Sequence, residues 1–293
     1  MWQNSKPYWL VLPTVSVIVI LFFGGLVEGL AHSLGYFPAA GQLDFSTRAY
    51  HKLLNSKDFW LSLWLTLRIS LLATLFSGIL GVGISLFFLR NQQRKSRICL
   101  WLEGLLNLPL VIPHFVGAYI IVLLFMQSGY LARLLYALGL IQQFEVFPVL
   151  TNDPRGWGII LAYTWKEAPF IALMLYPVLK NIYSNWLEVA KVYGAKPWQF
   201  FIEVVVPLLL PAWTSSCFIV FAFTFSAFEV PYLLGVTYPQ MLPVLSYTLY
   251  TNGGWERMPE AMAINVVLTV ITALLGIMAY KLSRRWGMPG GRS

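Results

Sequence analysis

The sequence predicts an all-α membrane protein with six spanning helices, and three observations carry that reading. Hydrophobic residues make up 58% of the 293 and charged residues only 11%, where soluble domains carry about 25% charge. Mean hydropathy is +0.68. Six apolar runs reach the roughly 20 residues that a helix needs to cross a bilayer, and most charges collect between them. With so little polar surface, the chain takes the lipid bilayer as its solvent.

The first run covers residues 8–30. It is too long for a cleaved leader, with no clear small-residue cleavage site after it, and reads as an uncleaved signal anchor. A polar stretch, 32–58, follows. The second run, 59–89, is long enough to tilt, and Ser77, Gly81 and Ser85 give it one small face for close helix contact. Residues 90–97 form the densest basic cluster. The third run, 99–126, contains Pro109 and Pro113; each deprives a carbonyl one turn earlier of its donor, so a kink or break is expected. In the polar stretch 127–153, Leu131, Leu134, Leu135 and Leu138 share a face and predict a short interfacial helix. The fourth run, 156–179, is interrupted by Lys166-Glu167-Ala168-Pro169. The fifth covers 208–234, residues 236–259 are polar again, and the sixth covers 261–282. Nothing marks a domain boundary, so residues 1–293 read as a single membrane domain.

The net charge of +8 does not imply nucleic acid, because the basic residues form no aromatic-interleaved patch. They set topology instead. With the N-terminus inside, Lys6, Arg90, Arg94, Lys95, Arg97, Lys180, Lys191, Lys196, Lys281, Arg284, Arg285 and Arg292 are cytoplasmic. Outside fall Arg48, Lys52, Lys57, Arg133, Arg155 and Arg257. Twelve against six favours both termini in the cytoplasm. Cys99 and Cys217 lie in apolar runs and suggest neither a disulfide framework nor a metal cluster. His32, His51 and His114 lack metal-ligand spacing. Neither a phosphate-cradling G-x-x-x-x-G-K-[ST] nor a catalytic H-E-x-x-H or G-x-S-x-G is present, so a membrane enzyme has no constellation to stand on.

Residues 185–212 carry the most specific pattern. Glu188, Val189 and Ala190 are followed by three residues and Gly194; nine more lead to Val204, Val205, Val206 and Pro207. This reads as helix, turn, helix, with Gly194 supplying the positive φ that ends the first helix and Pro197 opening the second. The stretch resembles the cytoplasmic EAA loop in permease subunits of binding-protein-dependent ABC importers. Glu188, Ala190, Gly194 and Pro207 fall on the family pattern, while Val189, Val204 and Val206 replace other apolar residues. The resemblance implies a type I importer permease in the bacterial cytoplasmic (inner) membrane. It implies a coupling loop, about 185–206, docked on an ATPase subunit through Glu188, Ala190, Gly194, Ala195 and Pro207. It also implies that ATP and Mg are bound by a cytoplasmic dimer of ATPase subunits and not by this chain. A second permease, identical or different, and an extracytoplasmic solute-binding protein would complete the importer. Residues 127–153 and 236–259 are candidates to receive that binding protein. A secondary transporter running alone on an ion gradient is the alternative from another class.

Ionisable residues inside spans are expensive and so are candidates for the substrate pathway. They are Arg68, Lys166, Glu167 and Glu229; Glu28 and Glu103 lie nearer span ends. Lys166 and Glu167 are adjacent and point to different helix faces, which suggests pairing of Lys166 with Glu229 and of Glu167 with Arg68. His114, beside Pro113, either lines a cavity at the kink or packs as a neutral histidine. Residues 228–235 (Phe-Glu-Val-Pro-Tyr-Leu-Leu-Gly), continued by 239–250 and 257–263, also resemble spermidine/putrescine permeases and, more loosely, ferric-ion importers. A polyamine needs carboxylates and aromatic faces, which Glu167, Glu229, Trp165, Phe225 and Phe228 offer. Arg68 and Lys166 would repel it, which leaves anionic and neutral solutes open.

Overall fold

A computed structural model describes residues 2–38, 41–91 and 97–286. Arg94, Lys95 and Arg292 of the topology argument lie outside them. The described chain is nearly all helix, in the order α1 Trp2–Ser33, α2 Arg48–Leu54, α3 Lys57–Asn91, α4 Arg97–Val111, α5 His114–Phe125, α6 Tyr130–Ala137, α7 Trp157–Val192, α8 Pro197–Phe200, α9 Val206–Ser226, α10 Glu229–Leu234, α11 Leu242–Asn252 and α12 Gly254–Trp286. Among the described residues, six helical segments are long and apolar enough to cross a membrane: Leu10–Ser33, Lys57–Asn91, His114–Ala137, Trp157–Val192, Pro197–Ser226 and Gly254–Lys281.

Several boundaries differ from the sequence reading, for physical reasons. The third run is not one helix. α4 stops at Val111 and α5 starts at His114, with Pro113 as its N-cap, so the membrane-length segment begins at His114 and continues through α6. The fourth run is longer than expected. Lys166 and Glu167 do not interrupt α7, which holds Pro169 and Pro177 within 36 continuous residues. The fifth run ends early, at Ser226, and Glu229 opens the separate α10. In the loop, α8 is only four residues and gives way to a π-helical stretch, Phe201–Val205. Pro207 has no N–H for the carbonyl of Glu203, and the wider turn precedes it. Part of the polar stretch 236–259 forms α11.

The helices gather in two compact units. One holds the chain through Trp60 together with Leu245–Val270; the other holds Leu61–Val244 and the chain from Ile271 onward. The first unit is tied by polar contacts around Glu260, which is 6% exposed. Lys52 Nζ donates to its Oε1 at 2.5 Å, and Arg257 Nη2 lies 3.3 Å from Oε2. Ser33 Oγ and Tyr50 Oη share a hydrogen bond of 2.7 Å, and Phe37 packs on Trp255. The exposed apolar side chains of α1 from Leu10 onward suit a lipid-facing helix.

α7 is the axis of the second unit. Of its most apolar 18-residue window, 72% is buried, against none of that of α1. Its first half, with Ile159, Ile160 and Tyr163, packs with Ile69 and Ala73 of α3, Ala118 and Ile121 of α5, and Val230 and Leu234 of α10. Its second half, with Ile171, Leu175, Leu179 and Ile182, packs with Phe200, Val205, Leu209 and Val220. The small face of α3 makes the predicted close contact. A Cβ on Gly81 would stand 2.7 Å from Ile171 Cγ2, and Ser85 Oγ donates to the Ala172 carbonyl at 2.9 Å. At 1.5 Å per residue α7 is about 54 Å long. A hydrocarbon core is about 30 Å thick, so α7 cannot be contained in one.

Candidate functional site

Lys166, Glu167 and His114 of the second unit meet at the break between α4 and α5. Pro113 has no N–H, so the Pro109 carbonyl one turn earlier has no helical donor. Lys166 Nζ supplies one at 2.7 Å and also donates to the Ile112 carbonyl. Its neighbour Glu167 takes the other side. Oε1 accepts from His114 Nε2 at 2.9 Å, at the first residue of α5. Lys166 and Glu167 are 5% and 7% exposed. Each sits where a helix end favours its charge: the cation by the carbonyl end of α4, the carboxylate by the N–H end of α5. His114 also stands against Phe223, with ring centroids 4.4 Å apart. Gly117 of α5 leaves room for Trp165 and the Lys166 stem, which would lie 3.4 and 3.5 Å from a Cβ there.

Neither of the expected ion pairs forms. Lys166 is satisfied by carbonyls and Glu167 by His114. The Arg68 guanidinium stands 6.0 Å from the Trp157 ring centroid, at the edge of cation–π range. Glu229 is exposed at the first turn of α10. Phe228 stacks on Tyr232 at 4.9 Å. Phe225 is fully buried and stacked on Phe221, so its face is taken up by the core. The structure therefore joins His114, Trp165, Lys166 and Glu167 in one place, while the charge of Glu229 acts, together with that of Glu167, on the neighbouring Tyr163.

Sequence reading passed over three residues here. Asp153 accepts from the backbone N–H of Trp157 at 2.8 Å and of Arg155 at 3.0 Å, and so caps the start of α7. An acidic residue just ahead of an apolar helix was the available signal. Thr66 Oγ1 accepts from Leu242 N–H at 2.8 Å. Tyr163 is fully buried, and its hydroxyl has no hydrogen-bond partner among the described residues. A tyrosine inside an apolar run carries no pattern that would have marked it.

At the far end of α7 the loop is built as its spacing predicts. Gly194 has φ +73°. Its N–H donates to the Lys191 carbonyl at 2.9 Å, and the Ala195 N–H donates to the Ala190 carbonyl at 3.0 Å. This pair of bonds is a Schellman cap, which requires a left-handed residue four positions after Ala190. Gln199 Oε1 accepts from Lys196 N–H at 2.9 Å and closes the start of α8. Tyr183 and Phe200 meet edge to face at 5.2 Å and hold the two arms together. Outward, the loop shows Trp186, Val189, Val192, Tyr193, Trp198 and Ile202; Val192 and Tyr193 are each 85% exposed. Glu188 and Lys191 pair at 2.8 Å on the surface.

Comparison with known proteins adds four findings. The family model described as "Binding-protein-dependent transport system inner membrane component" matches residues 80–286. The probable starch degradation products transport system permease protein of Thermoanaerobacterium thermosulfurigenes is 22% identical over 291 residues, covering 97% of this chain and 96% of that protein. The molybdenum transport system permease protein of Mycobacterium tuberculosis is 24% identical over 272 residues, 93% of each. Among solved structures, a chain of a bacterial ABC transporter involved in import of the acidic polysaccharide alginate superposes with a TM-score of 0.79, at 21% identity, over 98% of this chain and 99% of that one.

Proposed function

From the premise that this chain belongs to the binding-protein-dependent transport system inner membrane components, as an ABC importer permease with a type I fold, we propose how it couples and what it carries. The loop at residues 185–206 is the docking element for a cytoplasmic ATPase subunit, with Glu188, Ala190, Gly194, Ala195 and Pro207 setting its shape. Both termini then lie in the cytoplasm. ATP and Mg are bound on the ATPase dimer, and a second permease and a solute-binding protein complete the assembly. One observation carries this reading: the helix that forms the core of the second unit ends in a rigid cap dressed with exposed apolar side chains. A single large exposed apolar residue is ordinary, whereas a cluster of six on one short loop marks an interaction surface.

Motion of the ATPase pair would push this cap, and α7 would carry the displacement as a rod. Rigid-body rocking of this kind is how alternating access works. The solute we propose is neutral or anionic, with saccharides the first to try. The relatives quoted above are named for starch degradation products and for molybdenum, and the alginate importer for an acidic polysaccharide. None is named for a polyamine. The charges agree: Lys166 and Glu167 are engaged within the chain, and Arg68 would repel a polycation. Half-exposed aromatic faces at Trp165 and Phe228 suit sugar rings.

Purification of the tagged chain from its native membrane tests the proposal. An ATP-hydrolysing subunit and a second permease should come with it. A chain that purifies alone and moves solute on an ion gradient would replace this reading with a secondary transporter.

A further inference from the structure

We propose that the break between α4 and α5 is a moving part of the transport cycle, and that Lys166 and Glu167 are the positioning residues by which α7 holds it. The inference rests on the permease reading and adds to it the end of the rod opposite the ATPase.

Four observations meet at this place. The helix is interrupted, and Pro113 permanently orphans the Pro109 carbonyl, so α4 and α5 cannot simply zip into one regular helix. The missing donor comes from another helix, through Lys166 Nζ at 2.7 Å. The next residue of that same helix grips the other half of the break, through His114 at 2.9 Å. Lastly, α7 runs unbroken from Lys166 to Val192, about 39 Å of helix, before reaching the cap at Gly194.

These contacts make the break two-state. While Lys166 is seated, the carbonyls of Pro109 and Ile112 are satisfied without water. If α7 shifts by more than a hydrogen bond tolerates, they must be hydrated, since a buried unpaired carbonyl is costly. Lys166 and Glu167 hold separate halves of the break, so a rotation of α7 loads the halves differently. A single ion pair inside α7 could not do this. The adjacency that prevents the two residues from pairing with each other is what lets them reach both sides.

The test uses the complete transporter in liposomes, with Cys99→Ser as background and Val111→Cys as reporter. Val111 ends α4 and is 84% exposed, whereas Cys217 is buried. The probe is a maleimide, and its labelling rate is read without nucleotide and with ATP plus vanadate. With Lys166 and Glu167 intact, the two rates should differ about fivefold or more, the low end of ordinary coupling. In Lys166→Met or Glu167→Leu the rates should become equal, and Lys166→Arg should retain the difference. His114→Phe serves as a second variant should Lys166→Met fail to assemble, and its two rates should also be equal. Equal rates in the reporter transporter with Lys166 and Glu167 intact, or a full response in Lys166→Met, would overturn the proposal. A complex with no ATPase activity would sink the permease reading instead, so the two failures are distinguishable.

Discussion

The two ends of α7 are opposites. At the α4–α5 break the side chains are polar, Lys166 and Glu167 are buried and His114 partly so, and each has a partner within the chain. At the loop they are apolar and exposed, with Val192 and Tyr193 turned outward. Buried charge is tolerated only where it is paired, so the first end is complete as it stands. An exposed apolar cluster is tolerated where something covers it, which in the proposed function is the ATPase subunit. On the two proposals made above, the first is the joint of a rod and the second its handle.

The largest effect should come from removing the cap. Gly194 has open space around it, so its φ of +73° and not crowding forbids a β-branched residue. Gly194→Val should abolish coupling of ATP hydrolysis to uptake while the protein still reaches the membrane, which paired uptake and ATPase assays would check. Normal uptake would show that the handle is not needed in this form. Next comes the packing of α7 against α3. Gly81→Ala drives a methyl into Ile171 and should destabilise the protein by about 1–3 kcal/mol, seen as a lower melting temperature in detergent.

At the joint, Lys166→Met should cost about 1–3 kcal/mol by stranding the Pro109 carbonyl. An unchanged melting temperature would mean that water replaces the ammonium at no cost. Tyr193→Ala should alter stability by less than about 0.5 kcal/mol, as exposed positions do, yet weaken recovery of the ATPase subunit in pull-down. That split between stability and assembly is what separates handle from joint. The smallest effect belongs to Glu188→Gln, which loses a surface pair to Lys191 worth about 0–1 kcal/mol. Its readout is again ATPase recovery, since melting should scarcely move.

Much of this was legible in the sequence because the bilayer is a strict reader. A backbone in hydrocarbon must bond to itself, so long apolar runs become helices whatever surrounds them. The cap at Gly194 was legible for a local reason, as a Schellman turn involves only neighbouring residues. The break near Pro113 was also legible, since proline removes a donor anywhere. Errors arose where a neighbour decides. Continuity of α7 through Lys166 and Glu167 depends on an acceptor from α4 and a donor from α5, more than 50 positions away. Without them a charged pair reads as an interruption. The early end of α9 at Ser226 depends likewise on where Val230 and Leu234 pack.

Composition, spacing and proline chemistry thus determined by themselves that the chain crosses a membrane as helices, that one helix is broken, and that one loop is capped. These are properties of short stretches in a solvent of known character. Only the tertiary structure decided which charges meet, that Lys166 completes a carbonyl orphaned by Pro113, and that Phe225 belongs to the core. A side chain's partner is set by the path of the whole backbone, and no local pattern contains that path.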